Sequence, residues 1–149
     1  MAHTIFVLNG PNLNLLGSRE PEIYGTQTLK DVETLCVERA KSHGMSVDFR
    51  QSNSEAELIS WIQEAREGAG GIMLNAAALT HTSIGLLDAL QAFNGPVVEV
   101  HFSNIFRRET FRQHSYVSLG ATGMICGLGA HGYALGIDAL AHLILNTGS

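Results

Sequence analysis

The chain has 149 residues and a formal net charge of −5, and its basic residues form no cluster beyond Arg107 and Arg108. This length predicts a single domain, and the acidic balance excludes nucleic acid and an anionic membrane surface as expected partners. Charged residues make up only 15% of the chain, against about 25% in typical domains, so we expect a subunit interface to cover part of the surface.

The first predicted element is a short buried strand at about 4–9, within the opening stretch MAHTIFVLNG. This stretch has no basic leader and too short an apolar run for a signal peptide, and no later stretch approaches the ~20 apolar residues of a membrane span. We therefore expect a cytoplasmic protein. The connection that follows, GPNLNLLGSREPEIYG at residues 10–25, is long, since most strand-to-helix loops have about 2–6 residues.

Helices and strands alternate through the rest of the chain. Thr28 with Asp31 predicts a capping box that opens a helix ending at Gly44, and Ser54 with Glu57 opens another that ends near Gly68. The remaining predicted helices lie at about 82–93, 105–111 (short and irregular) and 131–146, and the remaining predicted strands at about 46–50, 70–75, 96–101 and 121–126.

This alternation predicts an α/β fold with a five-stranded parallel sheet and helices on both faces. The length and the number of strands favour a flavodoxin-like domain with strand order 2-1-3-4-5. In such sheets a ligand binds beyond the carboxyl ends of the strands, where the strand order reverses. We therefore expect a site for a small-molecule substrate near the ends of strands 1 and 3.

Polar residues that suit a hydroxylated carboxylic acid follow three of the predicted strands. They are Asn12, Arg19 and Tyr24 after strand 1, Asn75 and His81 after strand 3, and His101, Ser103, Arg108 and Arg112 after strand 4. Any one of them is easily explained as a structural residue. As a set at one sheet edge, cations and hydrogen-bonding groups indicate a ligand with a carboxylate and hydroxyl groups.

Several other chemistries are disfavoured by the sequence. It has no GxGxxG or GxxxxGK[ST] motif for a nucleotide and no metal-ligand spacing among its histidines, so we expect neither a cofactor nor a metal. Cys36 and Cys126 are interpreted as buried thiols. Lys30 and Lys41 are the only lysines and lie on the predicted first helix, so an imine-forming lysine is not expected and acid–base chemistry remains.

Three stretches of the chain resemble the signature regions of type II dehydroquinase, the 3-dehydroquinate dehydratase that forms no imine. They are NGPNLNLLGSREPEIYG, the later NxxxxTHTS at 75–83, and VEVHFSN with RxxFRxHSYVS at 98–118. The resemblance covers Ile5 to Leu140. It implies a single catalytic domain over 1–149, trimers assembled into a homododecamer, and anti elimination of water from 3-dehydroquinate through an enolate to give 3-dehydroshikimate.

The resemblance also assigns the proton-transfer residues. Tyr24 is similar to the family's base, and the long loop that carries it is interpreted as a lid. An unperturbed phenol has a pKa of about 10, so the base needs it lowered by about 3. Arg19 and Arg108 are sufficient for this, because a charge at about 4 Å contributes up to ~4 kcal/mol at an effective dielectric near 20. His101 matches the acid, since an imidazole titrates near neutral pH.

The remaining assignments concern binding and support. Asn12 corresponds to the residue that steadies the enolate oxygen through water, and Glu99 either orients His101 or is a buried structural carboxylate. The substrate carboxylate is expected on the backbone amides of Phe102 and Ser103 with Asn75. The ring hydroxyls are expected on His81 and Arg112, while Asp88 is expected to reach a neighbouring subunit's site.

The chain departs from the family pattern after strand 3. The family commonly has Asn-Pro-Gly-Ala-Tyr there, whereas this chain has Asn75, Ala76, Ala77, Ala78 and Leu79. If the turn requires a positive φ at residue 77, alanine there costs ~1 kcal/mol or shifts the backbone. Leu87 also stands where an arginine is common, and Phe106 where histidine is frequent.

Two alternatives to a dehydratase follow from the same residues. The altered turn at 76–79 motivates a non-catalytic binding module for small hydroxylated carboxylic acids on the same fold. A flavin-binding or phospho-acceptor domain of the same topology is weaker, because the chain has no phosphate-binding loop rich in Ser and Thr and no aspartate at the end of strand 1 or strand 3.

Overall fold

A computed structural model of the chain describes residues 3–18, 20, 22 and 26–146. The strands are β1 (Thr4–Asn9), β2 (Ser46–Gln51), β3 (Gly71–Asn75), β4 (Val97–His101) and β5 (Gly123–Cys126). The helices are α1 (Leu29–Ser42), α2 (Glu55–Gly68), α3 (Ile84–Gln91) and α4 (His131–Leu145). No helix in this part of the chain is long and apolar enough to cross a membrane.

The five strands form one parallel sheet with the order β2-β1-β3-β4-β5. This confirms the predicted flavodoxin-like fold. The three central strands, β1, β3 and β4, are buried at every position except the first residue of β1, as expected for strands covered on both faces. The edge strands β2 and β5 are more exposed.

Two hydrophobic cores lie on opposite faces of the sheet. On one face α1 and α4 pack against β1, β3 and β4, with Cys36 and Ile137 fully buried. On the other face α2 and α3 pack against the same strands, with Leu58 and Leu86 fully buried. Because adjacent side chains of a strand point to opposite faces, Ile5 and Phe6 of β1 belong to different cores.

Side chains cap the helices where the sequence predicts. Thr28 Oγ1 accepts a hydrogen bond from Asp31 N at 3.2 Å, and Asp31 Oδ2 accepts one from Thr28 N at 3.0 Å, which is the predicted capping box at the start of α1. Ser54 accepts from Glu57 N at the start of α2. These bonds stabilise the first turns by satisfying amides that have no partner within the helix.

The predicted elements differ most from the structure in three places. β5 begins two residues late, and the predicted helix at 105–111 is a pair of 3-10 turns, Ile105–Arg107 and Thr110–Arg112. The predicted third helix begins at Ile84 because Ser83 is its N-cap, and an unpredicted 3-10 turn, Ala77–His81, precedes it. Turns this short carry no 3.6-residue periodicity for a sequence to reveal.

Candidate active site

A cavity of about 210 Å³ lies at the carboxyl ends of the strands. The site residues predicted by the sequence that line it are Asn12, Asn75, His81, His101, Phe102, Ser103, Arg108 and Arg112. Pro11, Leu13, Ala77, Ala78 and Ile105 complete the lining. The loops after β1, β3 and β4 therefore bring together residues that are far apart in sequence, at the position where doubly wound sheets bind ligands.

The most buried ionisable pair of the site is Glu99 and His101, both on β4. Glu99 is 0% exposed and His101 is 5% exposed, and Glu99 Oε2 lies 2.5 Å from His101 Nε2. Residues i and i+2 of a strand face the same side, which explains why the two side chains meet. Of the two roles considered for Glu99, this contact favours orientation of His101.

Glu99 is held by more than the imidazole. Ser115 Oγ donates to Glu99 Oε2 at 2.7 Å, and Ser118 Oγ donates to Oε1. Burial raises the pKa of Glu99, but the hydrogen bonds from His101, Ser118 and Ser115 outweigh it and bring the pKa below its usual value. The carboxylate therefore stays ionised, and His101 Nε2 carries the proton that it shares with Glu99.

His81 is fixed in one tautomer by a backbone carbonyl. Its Nδ1 lies 2.7 Å from the carbonyl oxygen of His114, so Nδ1 donates and the neutral ring has a lone pair on Nε2. Burial is the main reason that the pKa of His81 lies below its usual value, and the nearby His101 and Arg112 lower it further. A neutral His81 suits the acceptance of a hydrogen bond from a hydroxyl group.

The turn after β1 presents Asn12 in a strained backbone conformation. Asn12 has φ 71, in the left-handed region, and its backbone N–H donates to Asn53 Oδ1 at 2.9 Å. Gln51 Nε2 donates to the carbonyl of Gly10 and to Asn53 Oδ1, both at 3.1 Å. Side chains at the end of β2 therefore hold this turn from outside the cavity.

Asn75 belongs to a buried chain of hydrogen bonds. Its Nδ2 donates to Tyr133 Oη at 3.0 Å, and Tyr133 Oη donates to Asn9 Oδ1 at 2.7 Å. Asn75 Oδ1 accepts from Ala77 N at 3.1 Å. Tyr133 is 0% exposed, and burial raises the pKa of its hydroxyl above the usual value. The amide of Asn75 is thereby fixed in one orientation at the cavity floor.

The cationic side of the cavity is partly neutralised by Glu109. Arg112 Nε donates to Glu109 Oε2 at 2.9 Å, and Arg108 Nε lies 3.8 Å from Glu109 Oε1. The Arg112 guanidinium is the main reason that the pKa of Glu109 lies below its usual value. Both arginines remain at the cavity edge, where they favour an anionic ligand.

The turn at 76–79 keeps a left-handed residue although no glycine is present. Ala77 has φ 52 and its N–H is held by Asn75 Oδ1. The turn therefore does require a positive φ at residue 77. The backbone stays in the left-handed region, and alanine carries a strain of ~1 kcal/mol there.

Within the described part of the chain, two of the predicted site residues, Glu99 and Asp88, do not line the cavity described above. Glu99 lies next to it, in contact with His101. Asp88 is exposed on α3 and borders a separate groove between α2 and α3 with Arg66 and Gln63. Arg19 and Tyr24, the predicted pKa-lowering cation and base, lie outside the described residues.

Comparisons with known proteins identify the family. The sequence profile of the family described as dehydroquinase class II matches residues 3–141. The chain belongs to the class II dehydroquinase family. Its resemblance to the type II dehydroquinases, predicted from the three motifs, is thus confirmed.

Individual relatives are similar to this dehydroquinase over nearly its whole length. The 3-dehydroquinate dehydratase of Methylobacterium radiotolerans is 61% identical over 143 residues, 96% of each chain. That of Streptomyces coelicolor is 59% identical over 140 residues, 93% of this chain and 89% of the relative. The crystal structure of a type II dehydroquinase from Propionibacterium acnes has a TM-score of 0.91 at 45% identity and covers 95% of this chain and 98% of that one.

Some residues of this dehydroquinase site were not among the predicted ones. Ser115 and Ser118 hold Glu99, Asn53 holds the Asn12 turn, and Tyr133 orients Asn75. The serines lie within the HSYVS motif, which was the one available signal. Within the described residues, no three His, Cys, Asp or Glu side chains are grouped as metal ligands.

Proposed function

We propose that the protein dehydrates 3-dehydroquinate to 3-dehydroshikimate by anti elimination, with Tyr24 as base and His101 as acid. Family membership makes the chain an enzyme of the hydro-lyase class. The observation that carries the mechanism is the buried Glu99–His101 pair beside a cavity lined by Arg108 and Arg112. This arrangement places an oriented acid, His101, next to arginines that attract the carboxylate of a substrate.

In the first step the tyrosinate of Tyr24 removes a proton from the carbon next to the ketone, and an enolate forms. Asn12 steadies the enolate oxygen through water. Arg19 and Arg108 favour the ionised phenol over the neutral one, because two positive charges at contact distance stabilise a negative charge by several kcal/mol. A closed lid that excludes water strengthens this effect.

In the second step the carbon–oxygen bond of the leaving hydroxyl breaks as the enolate collapses to a conjugated enone. The departing oxygen takes a proton from His101 and leaves as water. Because Nε2 is engaged by Glu99, Nδ1 delivers that proton. Both proton transfers then use the chain's own side chains and need no cofactor.

Substrate binding uses the rest of the cavity. The carboxylate is held by the backbone amides of Phe102 and Ser103 with Asn75, and the ring hydroxyls by His81 and Arg112. The fixed tautomer of His81 supports this assignment, since its Nε2 is an acceptor in the neutral ring. The non-catalytic binding module was suggested by the altered sequence of the turn at 76–79. Because Ala77 keeps the left-handed conformation, this turn gives less support to that alternative.

We also infer a dodecamer built from trimers, in which Asp88 reaches a neighbouring site. Ile84 lies one turn before Asp88 on α3 and is 55% exposed, which supports burial of this helix against another subunit. Sedimentation equilibrium tests the assembly: a mass twelve times that of the chain is expected, and a stable monomer with full activity would contradict it.

The reaction is tested by the enone absorbance that appears when the protein meets 3-dehydroquinate. Tyr24→Phe and His101→Gln are each expected to lower kcat by about 10²–10⁴, the usual contribution of a general base or acid. His142→Gln, at the exposed end of α4, is the control and keeps the rate.

Borohydride should not trap substrate on Lys30 or Lys41. Full rate in Tyr24→Phe, or binding without turnover in the unaltered protein, would refute the mechanism.

A further inference from the structure

The segment His114–Ser118 makes hydrogen bonds to both Glu99 and His81. Its serines donate to both oxygens of Glu99, with Ser115 Oγ at 2.7 Å from Oε2. Its first residue accepts, through the backbone carbonyl, the Nδ1–H of His81 at 2.7 Å. One short segment therefore contacts the partner of His101 and the ring of His81 at the same time.

This segment is firmly attached to the rest of the molecule. Val117 is 0% exposed within the core beneath α2 and α3, and Tyr116 N donates to the carbonyl of Thr80 at 2.9 Å. The ring of Tyr116 packs edge-on against His114 with 4.5 Å between ring centroids. The buried side chain of Val117 lies between the two serines, and the contacts of Tyr116 hold the segment beside Ser115.

The direction of the serine hydrogen bonds is also determined. Ser115 Oγ accepts from Ser118 N at 3.1 Å, so its own proton is available for Glu99. An ionised carboxylate only accepts, and Ser118 Oγ donates to its other oxygen. Hydrogen bonds to both oxygens therefore hold the carboxylate with Oε2 at His101 Nε2.

We propose that Ser115 and Ser118 are positioning residues of the acid step, which hold the Glu99 carboxylate so that His101 presents Nδ1 to the leaving hydroxyl. This inference rests on the proposed function for the role of His101. The serines do not touch the substrate and act only through Glu99.

Loss of either serine changes the proton affinity of the imidazole as well as its orientation. A carboxylate with fewer donors concentrates its charge on the remaining hydrogen bond to His101, and the ring then holds its proton more tightly. The other charged groups that face the ring across the cavity are His81, Arg108 and Arg112, and they are unchanged in both variants. The limb of the pH profile that reports His101 is therefore expected to move to higher pH.

The experiment compares Ser115→Ala and Ser118→Ala in the intact protein. Each is expected to lower kcat by about tenfold, the rate equivalent of one hydrogen bond to a charged group, with KM nearly unchanged. The kcat profile moves to higher pH, and the proton NMR signal of His101 Nε2–H moves from its wild-type position. Ser118→Thr keeps a hydroxyl and is expected to restore both readouts.

Ser83→Ala is a closely matched control. Ser83 Oγ donates to the Glu55 carboxylate and accepts from Leu86 N at 2.9 Å, the same pair of bonds that Ser115 makes with Glu99 and Ser118. This variant is expected to lose a similar free energy of unfolding and to leave the pH profile and the His101 signal in place.

The inference is overturned if both serine variants lose stability as Ser83→Ala does but keep the wild-type pH profile and NMR signal. Because Ser118→Ala keeps the hydrogen bond from the backbone N–H of residue 118 to Ser115 Oγ, a folded protein is available even if Ser115→Ala does not fold. A wild-type protein that bound 3-dehydroquinate without turnover would refute the proposed function instead, and the NMR signal would still test the serines.

Discussion

Backbone strain in this protein is concentrated in residues that border the cavity. Among the described non-glycine residues only Asn12, Glu20 and Ala77 have positive φ, and Asn12 and Ala77 both line the cavity. Asparagine tolerates the left-handed region because its short side chain makes local hydrogen bonds, whereas alanine gains nothing there. The strain at Ala77 is retained because Asn75 Oδ1 binds its N–H.

Replacement of Ala77 by glycine should therefore stabilise the protein. Relief of the left-handed strain, ~1 kcal/mol, exceeds the entropy of roughly 0.5 kcal/mol that glycine adds to the unfolded chain, so Ala77→Gly is expected to raise the free energy of unfolding by up to about 0.5 kcal/mol. Ala78→Gly, in the same turn but without positive φ, is expected to lower it by up to about 1 kcal/mol. Urea denaturation measures both, and a shift of the same sign in the two variants would contradict the strain at residue 77.

At the scale of elements, the site depends on how closely β1, β3 and α4 approach one another. The register places Asn9 of β1 beside Asn75 of β3, and Tyr133 of α4 bridges their side chains. Gly10 comes so close to β3 that an added Cβ would lie 2.5 Å from the carbonyl oxygen of Ala76. The ring of Tyr133 also stacks on Phe102, with 4.9 Å between centroids. Helix packing and strand register together therefore build the cavity floor.

Removal of the Tyr133 hydroxyl tests this connection. Tyr133→Phe leaves the buried Asn9 Oδ1 and one Asn75 N–H without partners, and we expect it to lower the free energy of unfolding by about 1–3 kcal/mol. KM for 3-dehydroquinate should rise more than kcat falls, because Asn75 binds substrate in the proposed mechanism. Tyr116→Phe is the control and should change stability by less than about 0.5 kcal/mol. Equal stability losses in the two variants would argue against the bridge.

At the scale of the whole molecule, a charged cluster joins the first and last helices. Asp138 of α4 accepts from Arg39 Nε of α1 at 2.7 Å and lies 2.8 Å from His43 Nε2, just past the end of α1. The Arg39 guanidinium is the main reason that the pKa of Asp138 is lowered to about 2, and His43 adds to the effect. These contacts stabilise the packing of α1 on α4 across one face of the sheet.

The cluster makes stability depend on pH in a defined window. A carboxyl group with a lowered pKa stabilises the fold above its unfolded pKa, about 3.9. That contribution is lost as pH falls from about 4 toward 2. Asp138→Asn is expected to cost about 1–2 kcal/mol at pH 7, after allowance for solvent screening, and at most a few tenths, about 0.4 kcal/mol, near pH 2.

Thermal or urea denaturation across this pH range measures the difference between Asp138→Asn and the unaltered protein. Glu33→Gln is the control, because Glu33 pairs with the exposed Lys30 at 3.4 Å, and such a surface pair contributes little at any pH. A difference between Asp138→Asn and wild type that stayed constant from pH 7 to pH 2 would exclude the cluster as its source.

The amino-acid sequence by itself determined the sheet and the identity of most cavity residues. Buried parallel strands are continuous apolar runs, so β1, β3 and β4 are visible in the sequence, and polar residues that follow such strands must meet at one edge of the sheet. His101, His81 and Asn75 were found in this way. The motifs around them were long enough to identify the family.

Only the tertiary structure decided what lies behind those residues. Tyr133 and Asn9 are 124 positions apart, and nothing local marks a tyrosine within a helix as the partner of two strand-end asparagines. In the sequence, Ser115 and Ser118 resemble ordinary loop serines. In the structure Val117 is buried between them and both hydroxyls donate to Glu99. Hydrogen-bond direction, tautomer and strain depend on three-dimensional contacts between distant segments, and sequence periodicity reports only which face of an element is buried.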